Sequence, residues 1–180
     1  MAVYRTRVSV DGIGWERIVS TRLKDVVDKL YHPSQDARQV FALSRPEAER
    51  LPRLPTVAMI SITAPERQVA VVDGFEYLLR LSFADVDFLN PQLSRKARQK
   101  SSEAFTASQA AQILSFVDGL PSQIRSVVVH CEGGFSRSCA IALALHQRFG
   151  YLAEVEQLTK GNPSVLQLMI ACRAPSEEKR

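Results

Sequence analysis

Ser126-Val127-Val128-Val129-His130-Cys131-Glu132-Gly133-Gly134-Phe135-Ser136-Arg137-Ser138-Cys139-Ala140-Ile141-Ala142-Leu143-Ala144-Leu145-His146-Gln147-Arg148-Phe149 decides how the rest of the chain is read. Its first residues, Ser126 to His130, are a short, mostly β-branched apolar run, the pattern of a fully buried strand. Its last residues, Arg137 to Phe149, are rich in strong helix formers, and Gly150 ends them. Between them lies a short loop with a cysteine six positions before an arginine. A strand that feeds a helix through such a loop is a unit of an α/β fold with a mostly parallel sheet. In these sheets ligands sit beyond the carboxyl ends of the strands, where Cys131 falls.

The loop is suited to an anion. The first turn of a helix exposes unpaired N–H groups and the positive end of the macrodipole. Successive N–H groups that point inward form an anion-binding nest. Gly133 and Gly134 allow the curl that a nest needs, so residues Glu132, Gly133, Gly134, Phe135 and Ser136 are the expected main-chain phosphate ligands. Arg137 adds a planar fork that matches two phosphoryl oxygens. Cysteine attacks as its thiolate, which helix N-termini and neighbouring cations favour. The Ser138 hydroxyl is placed to donate to the sulfur and to help it leave in a second step. These features describe nucleophilic phosphoryl transfer by Cys131 through a phosphocysteine intermediate.

The segment resembles the His-Cys-x-x-Gly-x-x-Arg-Ser/Thr signature of the cysteine-dependent protein-tyrosine and dual-specificity phosphatases. His130, Cys131, Gly134, Arg137 and Ser138 fill its fixed positions. The resemblance is nearest to the small single-domain members, bacterial ones included, and spans roughly residues 55 to 172. It implies a phosphatase-like fold, no cofactor and no metal, and a supporting role for His130 behind the loop. No spacing among His32, His130 and His146 suggests a metal site.

The leaving oxygen of a phosphate ester needs a proton, usually from a positioned carboxylic acid. Upstream, Leu79, Leu81 and Phe83 alternate with Arg80 and Ser82 in a strand read over Phe75 to Phe83, and carboxylates follow. By resemblance the acid lies on the loop after such a strand, which matches Asp85 best. Asp87 is the alternative acid, because a shift of two keeps the side-chain direction in an extended chain. Residues 88 to 105 then depart from the family pattern with a longer connection. Its Arg95, Lys96, Arg98 and Lys100 read either as a solvated, mobile loop or as a lid or docking patch for an acidic phosphorylated partner.

Composition sets the outer bounds. The chain has 180 residues, 46% hydrophobic and 23% charged, and reads as one domain over 1–174 with a charged, disordered tail at 175–180. A net charge of +4 is too small to name a partner class. Basic residues without interleaved aromatics are a weak nucleic-acid signal, so none is expected as a partner. No apolar run is long enough to span a bilayer, and Met1 to Arg7 lacks a signal core. Three widely spaced cysteines argue against a disulfide framework and for a reducing, cytoplasmic setting. Cys139 and Cys172 read as packing residues.

Elsewhere, residues 2 to 10 read as extended and Trp15 to Leu30 as a helix. A further helix starts at Ser44, with Glu47 reaching back. Thr56 to Thr63 reads as a buried parallel strand. Thr106 to Leu120 is a helix with Ala110, Ile113, Leu114 and Val117 inward. Leu152 to Thr159 and Ser164 to Ala171 read as two more helices, the second capped by Asn162, which by resemblance braces the active-site region.

The reading favoured is hydrolysis of protein phosphotyrosine, with phosphoserine and phosphothreonine as further substrates. Phosphoinositides, inositol phosphates or RNA 5′ ends are the alternative for the same chemistry. Glu132 and Phe135 at the loop's variable positions count against such polyanions. A silent phospho-ligand-binding module is the third reading, against which an intact Cys131, Arg137 and Asp85 count.

Overall fold

Strand residues of this chain alternate between two hydrophobic layers, and that alternation fixes the direction of every side chain at the loop. Val127, Val129 and Cys131 point into one layer, and Val128 into the other. A computed structural model describes residues 22–172. The expected lead-in at 2–10, the first part of the Trp15–Leu30 helix and the 175–180 tail lie outside the described residues.

Residues 22–31 are helical (α1). They are followed by β1 (Gln39–Ser44), α2 (Arg45–Glu49), β2 (Val57–Thr63), β3 (Tyr77–Ser82) and α3 (Arg95–Gln99). A 3-10 turn at Ser101–Glu103, α4 (Ala107–Asp118), β4 (Ser126–Cys131), α5 (Arg137–Phe149), α6 (Val155–Leu158) and α7 (Pro163–Ala171) complete the order. The four strands form one parallel sheet in the order β1-β4-β2-β3. The protein is therefore α/β, a single domain with helices flanking a parallel sheet, as the sequence predicts.

Both faces of the sheet are covered. Val40, Ala42, Ala58, Ile60, Ile62, Val127 and Val129 pack with Ile113, Leu114, Ile141, Leu145 and Met169 of α4, α5 and α7. Phe41, Leu43, Val57, Met59 and Val128 pack with Val26 and Leu30 of α1 and Ala48 of α2. Parallel strands buried on both faces read as continuous apolar runs, which is why β2 and β4 are legible. Each such Val, Leu or Ile contributes about 1.5–3 kcal/mol by leaving water. Helix α4 buries Ala110, Ile113, Leu114 and Val117, the stripe that the 3.6 period marks out. At α2, the Glu47 carboxylate accepts from Ser44 N at 2.8 Å and from Ser44 Oγ at 2.6 Å.

Two element bounds are corrected, and the 88–105 connection gains detail. The 88–105 connection carries local structure, with α3 and a 3-10 turn, and stays largely exposed to solvent. Ser94 caps α3 by accepting from Ala97 N, and Ala84 pairs with Ala104, its N–H donating to Glu103 O at 2.7 Å. The helix read over Leu152–Thr159 shrinks to the single turn Val155–Leu158, because the sheet edge takes Leu152. Leu152 N donates to Arg38 O at 2.8 Å, and Val40 N donates to Leu152 O at 2.9 Å. The strand read over Phe75–Phe83 is shortened to Tyr77–Ser82.

Candidate active site

Strand β4 ends at Cys131 and α5 begins at Arg137, so the loop between them leaves the carboxyl end of a central strand. Gly134 makes its tight path possible. Its φ is +74°, and a Cβ there would lie 2.4 Å from Ser44 N and 2.6 Å from Leu43 C. The loop thus lies directly on the backbone of β1, and only glycine allows both the dihedral and the contact.

That path aims polar groups at the sulfur. Gly134 N donates to Cys131 Sγ at 3.3 Å, and Ser138 Oγ lies 3.2 Å from the same sulfur. Cys131 is 2% exposed and sits at the foot of the loop. Behind it, on the other face of the sheet, His130 is fully buried with Nε2 2.8 Å from Ser61 Oγ. Burial pushes the His130 imidazole down to about 4, against a smaller opposing pull from the Cys131 backbone, so the ring is neutral at pH 7. A neutral, buried ring in that place cannot serve as an exposed base. Cys139 reaches up from α5 to donate to Gly134 O at 3.4 Å, and burial raises its thiol to about 11. It is an inert packing thiol that braces the loop.

Arg137 is 4% exposed. Its Nη1 donates to Phe83 O at 2.7 Å, and its guanidinium carbon lies 5.9 Å from the Phe83 ring centroid. Its Nε is buried without a hydrogen-bond partner, 3.8 Å from Asp85 Oδ2. A buried N–H with no acceptor is costly unless an anion satisfies it, so this fork is prepared for one.

Asp85 arrives at the loop by a tight turn. Val86 N donates to Ala84 O at 3.0 Å, Ala84 and Val86 are buried, and Asp85 is thrown outward between them. Its Oδ1 accepts from Ser136 Oγ at 2.8 Å and from Asn162 Nδ2 at 2.8 Å. Asp87 faces elsewhere. Its Oδ1 accepts from Ser164 Oγ at 2.5 Å and from Leu89 N at 3.2 Å, which ties the turn to the start of α7. Of the two candidate carboxylates, Asp85 joins the cysteine loop and Asp87 anchors the segment that carries it.

Ser136, in the N-cap position of α5, makes no cap hydrogen bond and gives its hydroxyl to Asp85. Asn162 does both jobs. Its Oδ1 accepts from Ser164 N at 3.0 Å and Val165 N at 3.2 Å, capping α7, while its amide holds Asp85. Gly161 lets this corner lie against α5, since a Cβ there would meet Ala140 N at 2.7 Å. Asn162 N then donates to Ser136 O at 3.2 Å.

An open cleft of about 340 Å³ lies beside the loop, lined in part by Asp85, Glu132 and Arg137 together with Ser94, Lys96 and Lys100. The basic residues of the connection therefore divide. Lys96 and Lys100 face the cleft, whereas Arg98 Nε turns back to donate to Leu93 O at 3.1 Å. Phe135 stands 62% exposed on the loop. Arg45, which the sequence does not single out, meets Glu132 at 3.5 Å and donates to Gln68 O and Val69 O, joining the loop to the 64–72 segment.

Among the described residues no group of three His, Cys, Asp or Glu is placed to hold a metal ion, and no helix is long and apolar enough to cross a membrane. Comparison with protein-family models, with curated proteins and with solved structures returned no match.

Proposed function

We propose that the chain is a phosphomonoester hydrolase that dephosphorylates phosphotyrosine in proteins, and phosphoserine and phosphothreonine by the same chemistry, through a phosphocysteine intermediate. One observation carries the reading. A sulfur contacted by Gly134 N and Ser138 Oγ shares a loop with a buried guanidinium whose Nε has no hydrogen-bond partner, and an outward carboxylate stands 3.8 Å from that guanidinium.

In the proposed reaction the Cys131 thiolate attacks phosphorus and the ester P–O bond breaks. Asp85 gives its proton to the leaving oxygen. Arg137 and the loop amides hold the three equatorial oxygens, and such preorganised donors carry much of the rate. Asp85, now ionised, takes a proton from water, which attacks the phosphocysteine. The S–P bond breaks as Ser138 Oγ donates to the departing sulfur. Cys131 is 2% exposed, so the groups around the sulfur must move for an ester to reach it.

Hydrolysis of p-nitrophenyl phosphate and of a phosphotyrosine peptide tests the reading. The expected result is turnover in chelator, blocked by vanadate. Absence of turnover on both substrates overturns it.

A further inference from the structure

The cleft beside the cysteine loop carries positive charge that the protein does not use. Seven ionisable side chains line it: Glu66, Arg67, Asp85, Lys96, Lys100, Glu132 and Arg137. Each acid has a claimant. Lys100 pairs with Glu66 and holds its carboxyl below the usual range. Arg45 pairs with Glu132, and Arg137 with Asp85. Arg67 and Lys96 are left over. Both are exposed, and neither makes a side-chain hydrogen bond or an ion pair among the described residues, Arg67 adding only the smallest of the pulls on Glu66.

These two cations come from separate elements. Arg67 sits on the turn after β2, closed by Arg67 N donating to Ala64 O at 2.9 Å. Lys96 sits on α3, in the connection that lengthens this chain relative to the pattern it resembles. Both line one cleft, and Ala104, just after the 3-10 turn that follows α3, pairs with Ala84, one residue before Asp85. That pairing joins the connection that carries Lys96 to the turn that carries Asp85.

We propose that Arg67 and Lys96 form a second anion subsite that selects phosphopeptides bearing an acidic or phosphorylated residue close to the phosphotyrosine. The proposal rests on reading the cleft as a phosphate-ester site. A peptide fits better than a polyphosphorylated head group. The extra cations lie on the turn after β2 and on α3, not on the loop, whose own variable positions are the acidic Glu132 and the aromatic Phe135. A second anion must therefore stand off from the scissile phosphate, on another residue of an extended chain. Charge of this kind steers encounter and sets selectivity more than it adds raw affinity.

Binding to the Cys131→Ser protein separates this inference from the catalytic one, because it needs no turnover. The probes are two fluorescent phosphotyrosine peptides of equal length, one with glutamate on both sides of the phosphotyrosine and one with glutamine, and a water-soluble phosphatidylinositol bisphosphate. The glutamate peptide should bind about 5- to 10-fold tighter than the glutamine peptide at low salt, the range expected of two exposed ion pairs. That ratio should fall toward one in Arg67→Gln/Lys96→Gln and in high salt. An unchanged ratio in the double variant, equal binding of the two peptides, or tighter binding of the lipid head group than of the glutamate peptide would overturn the subsite. Failure of the wild-type protein to hydrolyse p-nitrophenyl phosphate would instead strike the catalytic reading.

Discussion

Asn162 Nδ2 donates to Asp85 Oδ1 at 2.8 Å, joining residues 77 apart in the chain. The same side chain caps α7 through its oxygen. One residue therefore couples the start of a helix to the carboxylate that faces the cysteine loop. Ser164, two residues on, holds Asp87 in the same way. The corner at 161–164 acts as a fixture for the whole acid turn.

Asn162→Asp separates the two roles. Aspartate keeps the cap acceptor, so thermal stability should change little, but it removes the amide donor and sets a second carboxylate against Asp85. We expect kcat for an alkyl phosphate to fall by about tenfold or more, and kcat for p-nitrophenyl phosphate to fall much less, since a good leaving group needs little proton donation. Equal losses on both substrates would mean that Asn162 serves only as a cap.

Asp85→Asn should lower kcat on a poor leaving group by about 100-fold, the usual scale of a positioned acid. Asp87→Ala should leave that leaving-group dependence intact and cost about 1 kcal/mol in a denaturant titration, through the lost Ser164 and Leu89 contacts. The reverse pattern would assign the proton to Asp87.

Gly134→Ala should be among the costliest single changes to the loop. It forces a Cβ into a left-handed dihedral and to within 2.4 Å of Ser44 N. We expect a loss of about 3 kcal/mol or more in urea unfolding, with loss of turnover. A stable, active variant would mean that the loop does not rest on β1.

His130 predicts an acid-sensitive fold. Its folded value of about 4 lies below the ordinary 6.5, so the unfolded chain binds the proton more readily between those limits. Stability from this residue is therefore full above pH 6.5 and is lost as pH falls toward 4, by roughly 3 kcal/mol. Urea midpoints for the wild type and His130→Gln should converge as pH drops through that window. Parallel curves would contradict the buried neutral ring.

The fold was legible because β2 and β4 are apolar on both faces and α4 and α5 are strongly periodic with clear ends. The stripe Ala110, Ile113, Leu114 and Val117 needs only the helical period. The cysteine loop was legible because all its parts are consecutive. What local pattern could not give was any contact made across the chain. Ser136 reads as an N-cap and is drawn off to Asp85. Leu152 reads as the start of a helix and is captured by the sheet edge. Choosing between Asp85 and Asp87 needed the α7 corner, since both side chains point the same way in an extended strand. Arg45, Ser61 and Arg67 carried no signal, because their partners lie at distant positions.

The rate of phosphotyrosine-peptide hydrolysis by Cys131→Ser tests most directly whether the Cys131 sulfur is the nucleophile. We predict that kcat falls by about 10⁴-fold or more, as for other enzymes stripped of their nucleophile, while the variant still binds the peptide. Hydrolysis by that variant within tenfold of the wild-type rate would contradict it.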